Sequence, residues 1–304
     1  MTADVDAFAQ WHEDEARWWN QFGGYMSYQW QMTPAMSATF RSALEDDYKS
    51  FLCSPGERLL DLGCGSGWLA LYFAKQGMSV TGVDISHEQI AAANATRRSF
   101  GLESSVGFHC ADFVHWNVEP LKGAFSSVFV SAFLHHLPEP ELALAISKIA
   151  SVVKPGGRVF LYEPLQRPGQ RNFLIKVIDG LYNMGLELLL NSLPRRLNWW
   201  TERHLSEVAR GYTMNSPHEA PVSLDVLQRC CSGDFEIVET KGWHLNSLGF
   251  GMQAMGLKDS VLRHFEKIAR VLYRLDQFLL RHFGWQRFSV PGRFILCGVK
   301  LVRR

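Results

Sequence analysis

The stretch Leu59-Leu60-Asp61-Leu62-Gly63-Cys64-Gly65-Ser66-Gly67-Trp68-Leu69-Ala70 reads as a buried strand that runs into closely spaced glycines and then a helix. Glycine lacks a Cβ, so the chain there can take positive φ and approach a ligand closely, while the helix that follows offers free N–H groups at its start. A dinucleotide fingerprint would need its glycines as GxGxxG beside a pyrophosphate. Here they run Gly63-x-Gly65-x-Gly67 with Asp61 in front, a spacing that speaks against an NAD-dependent oxidoreductase.

From residue 57 to 163, short β-rich runs alternate with helical segments, the pattern of parallel strands with covering helices. Arg58–Asp61, Ser79–Asp84, Val106–Cys110, Ser126–Val130 and Arg158–Tyr162 read as five strands, and Phe235–Glu239 and Phe294–Val299 bring the count to seven. The expected fold is α/β and Rossmann-like. In such open sheets ligands bind at the carboxyl ends of the strands. Asp84 ends the second strand, followed by Ile85, where a carboxylate can accept both hydroxyl protons of a ribose. Asp112 follows the third strand, where it can accept an adenine amino proton while Phe113 packs on the ring.

Five pieces then occur in order: Asp61-Leu-Gly-Cys-Gly-Ser-Gly67, Gly82-Val-Asp-Ile-Ser86, Ala111-Asp112-Phe113, Phe133-Leu-His-His-Leu137 and Lys154-Pro-Gly-Gly-Arg158. Together they make Leu59 to Pro164 resemble the class I S-adenosylmethionine-dependent methyltransferases, near the group that includes the quinone-biosynthesis enzymes. The resemblance covers about a third of the chain. It implies a seven-stranded methyltransferase fold and S-adenosylmethionine as cofactor. Asp61, Gly63 and Gly65 would flank its methionine part, Asp84 would lie at the ribose and Asp112 with Phe113 at the adenine, and Cys64, Gly67 and Ile85 would join them in binding the cofactor.

A sulfonium methyl is already activated, so alignment of the acceptor dominates and is worth about 7–11 kcal/mol. General base help adds about 10²–10⁴-fold and matters only for a protonated acceptor. His135 and His136, which leave the fourth strand, are the candidate bases, because imidazole titrates near neutral pH. Glu163, at the end of the fifth strand, is a candidate to orient an acceptor hydroxyl or amine. His218, His12 and His115 are weaker candidates, and packing or surface roles compete at each position.

Four segments follow: an aromatic N-terminal helical lid (1–50), the cofactor-binding core (51–164), a helical insertion on the acceptor side (165–234), and the last two strands with an inserted amphipathic helix (235–304, helix within about 250–288). Seven aromatics, Trp11, Trp18, Trp19, Phe22, Tyr25, Tyr28 and Trp30, crowd the lid, with Trp11, Trp18, Phe22 and Tyr25 on one helical face. The apolar insertion from Phe173 to Leu190 suits an apolar or lipid-linked acceptor, or plain core packing. From Asp259 to His282 the stripe Val261, Phe265, Ile268, Leu272, Leu275, Leu279 opposes Arg263, Lys267, Arg270, Arg274 and Arg281, which points to an anionic membrane surface or to a solvated basic face.

With 31 basic and 30 acidic residues the net charge is +1, which offers nucleic acid no overall field, and Ser131-Ala132-Phe133-Leu134 stands where a nucleic-acid methyltransferase would carry Asn/Asp-Pro-Pro-Tyr/Phe. The six cysteines show no metal-ligand spacing, so no metal is expected and reduced thiols of a cytoplasmic protein are. No secretory signal opens the chain and no apolar run spans a bilayer, so the expected location is cytoplasmic, with peripheral membrane contact through 259–282. The expected activity is methyl transfer to oxygen, carbon or nitrogen of a small apolar molecule. A non-catalytic binding protein on the same scaffold is the alternative. Oligomeric state is not legible.

Overall fold

The computed structural model describes residues 2–22, 49–52, 54–166, 216–244, 259–285 and 295–304. All seven expected strand segments form: β1 (Arg58–Leu62), β2 (Ser79–Asp84), β3 (Val106–Cys110), β4 (Phe125–Ser131), β5 (Val153–Gln166), β7 (Phe235–His244) and β8 (Ile295–Arg303). A two-residue strand β6 (Val222–Ser223) pairs with β5 off the main path. The sheet order is β3-β2-β1-β4-β5-β8-β7. β1 to β5 are parallel to one another, and β8 runs antiparallel between β5 and β7.

β1 and β4 are buried along nearly their whole length, as central parallel strands covered on both faces must be. One face carries α3 (Trp68–Ala74), whose Leu69, Leu71 and Phe73 pack on Leu59, Phe129 and Phe160. The other carries α5 (Glu139–Val152), with Leu142, Ile146 and Ile149 against Val128, Val130 and Leu161. α4 (His87–Ser99) crosses between β2 and β3, its N-terminus capped by Ser86, whose hydroxyl accepts the Gln89 N–H. α1 (Thr2–Phe22), the short α2 (Lys49–Leu52), α6 (Leu224–Cys231) and α7 (Asp259–Phe283) complete the described helices.

The α7 stripe is rotated from its sequence expectation. Leu275 is 38% exposed, with Val271 at 62% and Phe278 at 57%, while Ala269, Tyr273, Asp276, Gln277, Leu279 and Leu280 are buried. The cause is a polar dock at strand β7: the Gln277 side-chain N–H donates to the Trp243 carbonyl at 2.6 Å, and Tyr273 joins Trp243 in the core. The basic residues Lys267, Arg270, Arg274 and Arg281 are exposed as expected. The side chains of Val261, Arg263 and Phe265, the lid residues Tyr25, Tyr28 and Trp30, and the Phe173–Leu190 insertion lie outside the described residues.

Gly67 shows why the loop tolerates no side chain at its end. Its φ is +78°, and a Cβ there would lie 2.5 Å from the Phe108 ring and 3.0 Å from Ala93 Cβ. A left-handed L-residue costs about 1–2 kcal/mol, and overpacking a tight core about 1–3 kcal/mol more. Gly67→Ala is therefore expected to lower stability by about 2–5 kcal/mol in urea unfolding.

Candidate active site

The strands deliver their carboxyl ends to one edge. The loop after β1 is pinned there, because the N–H groups of both Gly63 and Cys64 donate to the Val83 carbonyl, at 3.0 and 3.1 Å. The three glycines then differ in purpose. A Cβ on Gly63 would meet the Ser131 carbonyl at 2.9 Å, and one on Gly67 would strike Phe108, so both are needed for packing. A Cβ on Gly65 would meet nothing closer than Gln89 Oε1 at 3.8 Å, which makes Gly65 the open floor of the cradle. Cys64 is buried beneath it, its thiol pushed up by burial and by the carboxylates of Asp84 and Asp61.

Asp61, at the end of β1, is fully buried, and neither of its oxygens makes a hydrogen bond of good geometry among the described residues. Burial raises its pKa to about 8; the nearby Ala70 N–H opposes the shift and Asp84 adds to it. An uncompensated buried carboxylate is costly, and a cationic ligand would relieve it. Asp84 accepts the Gly65 N–H on Oδ2 and the Ser86 N–H on Oδ1, both at 2.9 Å. Each oxygen retains a lone pair, so the carboxylate is held in place and still able to accept two hydroxyl protons. Ile85 follows it, half-buried. An open glycine, an orphaned carboxylate and a braced second one fit a nucleoside that carries positive charge.

Asp112 is placed differently from a free adenine acceptor. Its Oδ1 accepts the Val114 N–H at 3.0 Å, and its Oδ2 lies 2.7 Å from His115 Nδ1 and 3.3 Å from His12 Nδ1. Phe113 is buried in the core, edge-on to Phe133 at 6.2 Å. Lys148, which the sequence did not single out, donates to the carbonyls of Phe113, Val114 and Trp116 and so fixes this loop.

The turn after β4 begins with Ala132 at a φ of +50°, a non-glycine residue in the left-handed region; such strain persists only where surrounding structure enforces it. The enforcement comes from Glu163. Its Oε1 accepts the N–H groups of Phe133 and Leu134 at 2.9 and 2.8 Å, and its Oε2 faces His135 Nδ1 at 2.8 Å. Burial raises the Glu163 pKa to about 7 and lowers that of His135 to about 3. Both shifts disfavour a charged pair.

His136 packs against His135 and faces α1. Its Nδ1 lies 3.1 Å from Glu15 Oε2 and 3.0 Å from Ser216 Oγ, and its ring lies 4.0 Å from that of His135. It is near enough to Asp84 and Glu163 to oppose the rise in both their pKa values. Its own pKa is lowered, first by burial and then by His135, with Glu15 opposing.

α1 therefore docks through polar groups. The Trp11 indole N–H donates to the His136 carbonyl at 2.7 Å, and its ring stacks on His218 at 3.9 Å. Glu15 Oε1 accepts the His218 N–H at 3.1 Å, and Asn20 Oδ1 accepts the Ser86 hydroxyl at 2.8 Å. Glu15 was missed from sequence, although it sits in the helical stripe 11-15-18-22 as the one carboxylate among aromatics.

A family described as "Methyltransferase domain" matches residues 59–157. A ubiquinone biosynthesis O-methyltransferase of Hahella chejuensis is 33% identical over 150 residues, 48% of this chain and 56% of that protein. The chain thus spans little more than half the length of that relative. The namesake from Albidiferax ferrireducens is 30% identical over 238 residues, 75% of this chain and 84% of the relative. Among solved structures, geranyl diphosphate C-methyltransferase from Streptomyces coelicolor A3(2) shares the fold, with a TM-score of 0.55 at 16% identity over 97% of this chain and 98% of that one. With the glycine cradle and its two carboxylates at the strand ends, this similarity along most of the chain shows that it belongs to the class I S-adenosylmethionine-dependent methyltransferases, near the quinone-biosynthesis group.

Proposed function

We propose that the protein transfers the methyl group of S-adenosylmethionine to a hydroxyl oxygen of a small apolar acceptor. The observation that carries this reading is the cradle of Gly65, Asp61 and Asp84 set beside the His136–Glu15 pair at the same sheet edge. When bound, the cofactor supplies an activated methyl on a sulfonium. Asp84 would hold its ribose, Asp61 would face its cationic end, and Asp112 and Phe113 would border its adenine. His136 takes the acceptor proton, and Glu15 and Ser216 fix the ring through Nδ1 so that Nε2 is the basic atom. Glu163 and His135 position His136 from below. The oxygen acceptor is favoured by the names of the relatives and by a base braced to receive a proton.

Proton release tests the cofactor half of this reading. In the free protein Asp61 has its pKa raised from 3.8 to about 8 by burial. The folded state then binds a proton that the unfolded chain releases, so this group's contribution to stability falls as pH rises through that window. Cationic S-adenosylmethionine would ionise Asp61 and expel about one proton per ligand near pH 6.5. Calorimetry in buffers of different ionisation enthalpy should show this, and Asp61→Asn should abolish it while raising the ligand-free Tm at pH 8. A binding enthalpy independent of buffer would count against the reading.

The expected acceptor class carries a second prediction. No helix among the described residues is long and apolar enough to cross a membrane. Exposed Val271, Leu275 and Phe278 nevertheless alternate with Lys267, Arg270 and Arg274 along α7, a composition suited to an anionic bilayer surface. The protein should co-sediment with vesicles containing anionic lipid, and Lys267→Glu with Arg270→Glu should release it. Equal sedimentation of that variant would remove the membrane contact.

A further inference from the structure

Beside the cradle, α1 and the loop after β3 bring two imidazoles and two carboxylates together. His12 is buried between acids from separate elements: its Nε2 lies 2.6 Å from Glu141 Oε2 and its Nδ1 lies 3.3 Å from Asp112 Oδ2. Glu141 sits in the first turn of α5, where the helix dipole favours a carboxylate. The 2.6 Å contact makes His12 Nε2 a donor to Glu141 Oε2 and turns Nδ1 toward Asp112. Nδ1 and Asp112 Oδ2 face each other at 3.3 Å, a spacing that a bridging cation, whether proton or metal ion, would satisfy.

A third donor converges on the same point. His115 Nδ1 lies 2.7 Å from Asp112 Oδ2, and its ring stands at 90° to that of His12 with centroids 5.1 Å apart. His12, Asp112 and His115 each offer one ligand atom, all within 4.8 Å of one another. Tetrahedral zinc, with bonds of about 2.0–2.2 Å, holds its ligand atoms about 3.4 Å apart. The His12–Asp112 spacing already matches, and the exposed His115 ring can turn outward to reach it. A histidine ligand that donates its other N–H to a carboxylate is the usual outer arrangement of such sites, and Glu141 supplies it here.

We propose that His12 Nδ1, Asp112 Oδ2 and His115 Nδ1 form a Zn²⁺ site with one open position, and that the ion fastens α1 to the core. Two imidazoles and one carboxylate select a transition metal over Mg²⁺ or Ca²⁺, which prefer all-oxygen shells. On binding, the His115 ring proton moves to Nε2, on the side where Glu141 Oε1 lies at 3.9 Å. The site shares Asp112 with the adenine assignment, taking Oδ2 and leaving Oδ1, which accepts the Val114 N–H. Its effect on the reaction would be indirect. Glu15 lies one helical turn beyond His12, so an anchored His12 fixes the carboxylate that orients His136.

The test titrates the full chain with Zn²⁺ against a chromophoric chelator, with Mg²⁺ in parallel. Wild type should bind one Zn²⁺ and no Mg²⁺. His115→Ala, which alters an exposed ring, should lose that site, and Glu141→Gln should bind about 10–100-fold more weakly. X-ray absorption should show a nitrogen and oxygen shell at about 2.0–2.1 Å. Zn²⁺ should also slow amide exchange across residues 8–20 in wild type and not in His115→Ala. Absence of Zn²⁺ binding, or unchanged stoichiometry and affinity in His115→Ala, would overturn the proposal and leave a proton on His12 as the bridging cation. S-adenosylmethionine binding is tested independently by the proton-release experiment, which reads Asp61 rather than Asp112.

Discussion

Asp84→Ala should weaken the binding of S-adenosylhomocysteine by at least about 100-fold, the largest effect on affinity expected from any single change in the cradle. Hydrogen bonds to a charged group contribute about 1.5–3 kcal/mol each. Two of them, one to each ribose hydroxyl, make about 3–6 kcal/mol, or two to four decades. The same carboxylate braces Gly65 and Ser86, so two N–H groups also lose their acceptor, and stability should fall by about 1–3 kcal/mol. Calorimetry and urea unfolding on the same sample separate the two effects. Binding that survives within about threefold, a change of under 1 kcal/mol, would remove Asp84 from the ribose site and with it the assignment of the cradle.

His136→Gln should reduce kcat by about 10²–10⁴-fold on a hydroxyl acceptor, with little change in the KM for the cofactor. The pH profile gives the sharper reading. Burial holds the His136 pKa below 6.5, so the neutral, basic ring is dominant at pH 7 and is lost only on the acid side. kcat should be flat through neutrality and fall as pH drops through that lowered pKa. Glu15 opposes the lowering. Glu15→Gln should therefore move the acid limb to still lower pH and cost less activity than loss of the ring itself. If His136→Gln keeps full kcat, the acceptor arrives already ionised and the site works by alignment alone.

The sheet was legible because its strands announce themselves locally. Leu59–Leu62 is apolar but for Asp61 and closes on glycine, Phe125–Ser131 is built on Phe and Val and closes on a turn, and the cradle is one contiguous stretch. What escaped notice depends on contacts between distant segments. Glu15 and Glu141 carry no local signal of a role, which arises only where α1 and α5 come together over the strand ends. The Glu163–His135 pair, separated by 28 residues, read as two candidates for contact with the acceptor, and the fold places both in a buried layer under His136. On α7 the hydrophobic period was read correctly as helical, but its phase was set by Gln277 reaching the Trp243 carbonyl, which no periodicity encodes. The absence of metal-ligand spacing among the cysteines likewise says nothing about ligands drawn from two separate parts of the chain.

The seam along α1 bears on register as well as on adhesion. Half-buried Trp11, Trp18 and Trp19 share it with imidazole, carboxylate and indole N–H contacts. Each such bond changes the free energy by only about 0.5–1.5 kcal/mol, yet it forms only within a narrow range of distance and angle. The polar contacts therefore set which turn of the helix lies over the strand ends, while the indole rings supply much of the adhesion.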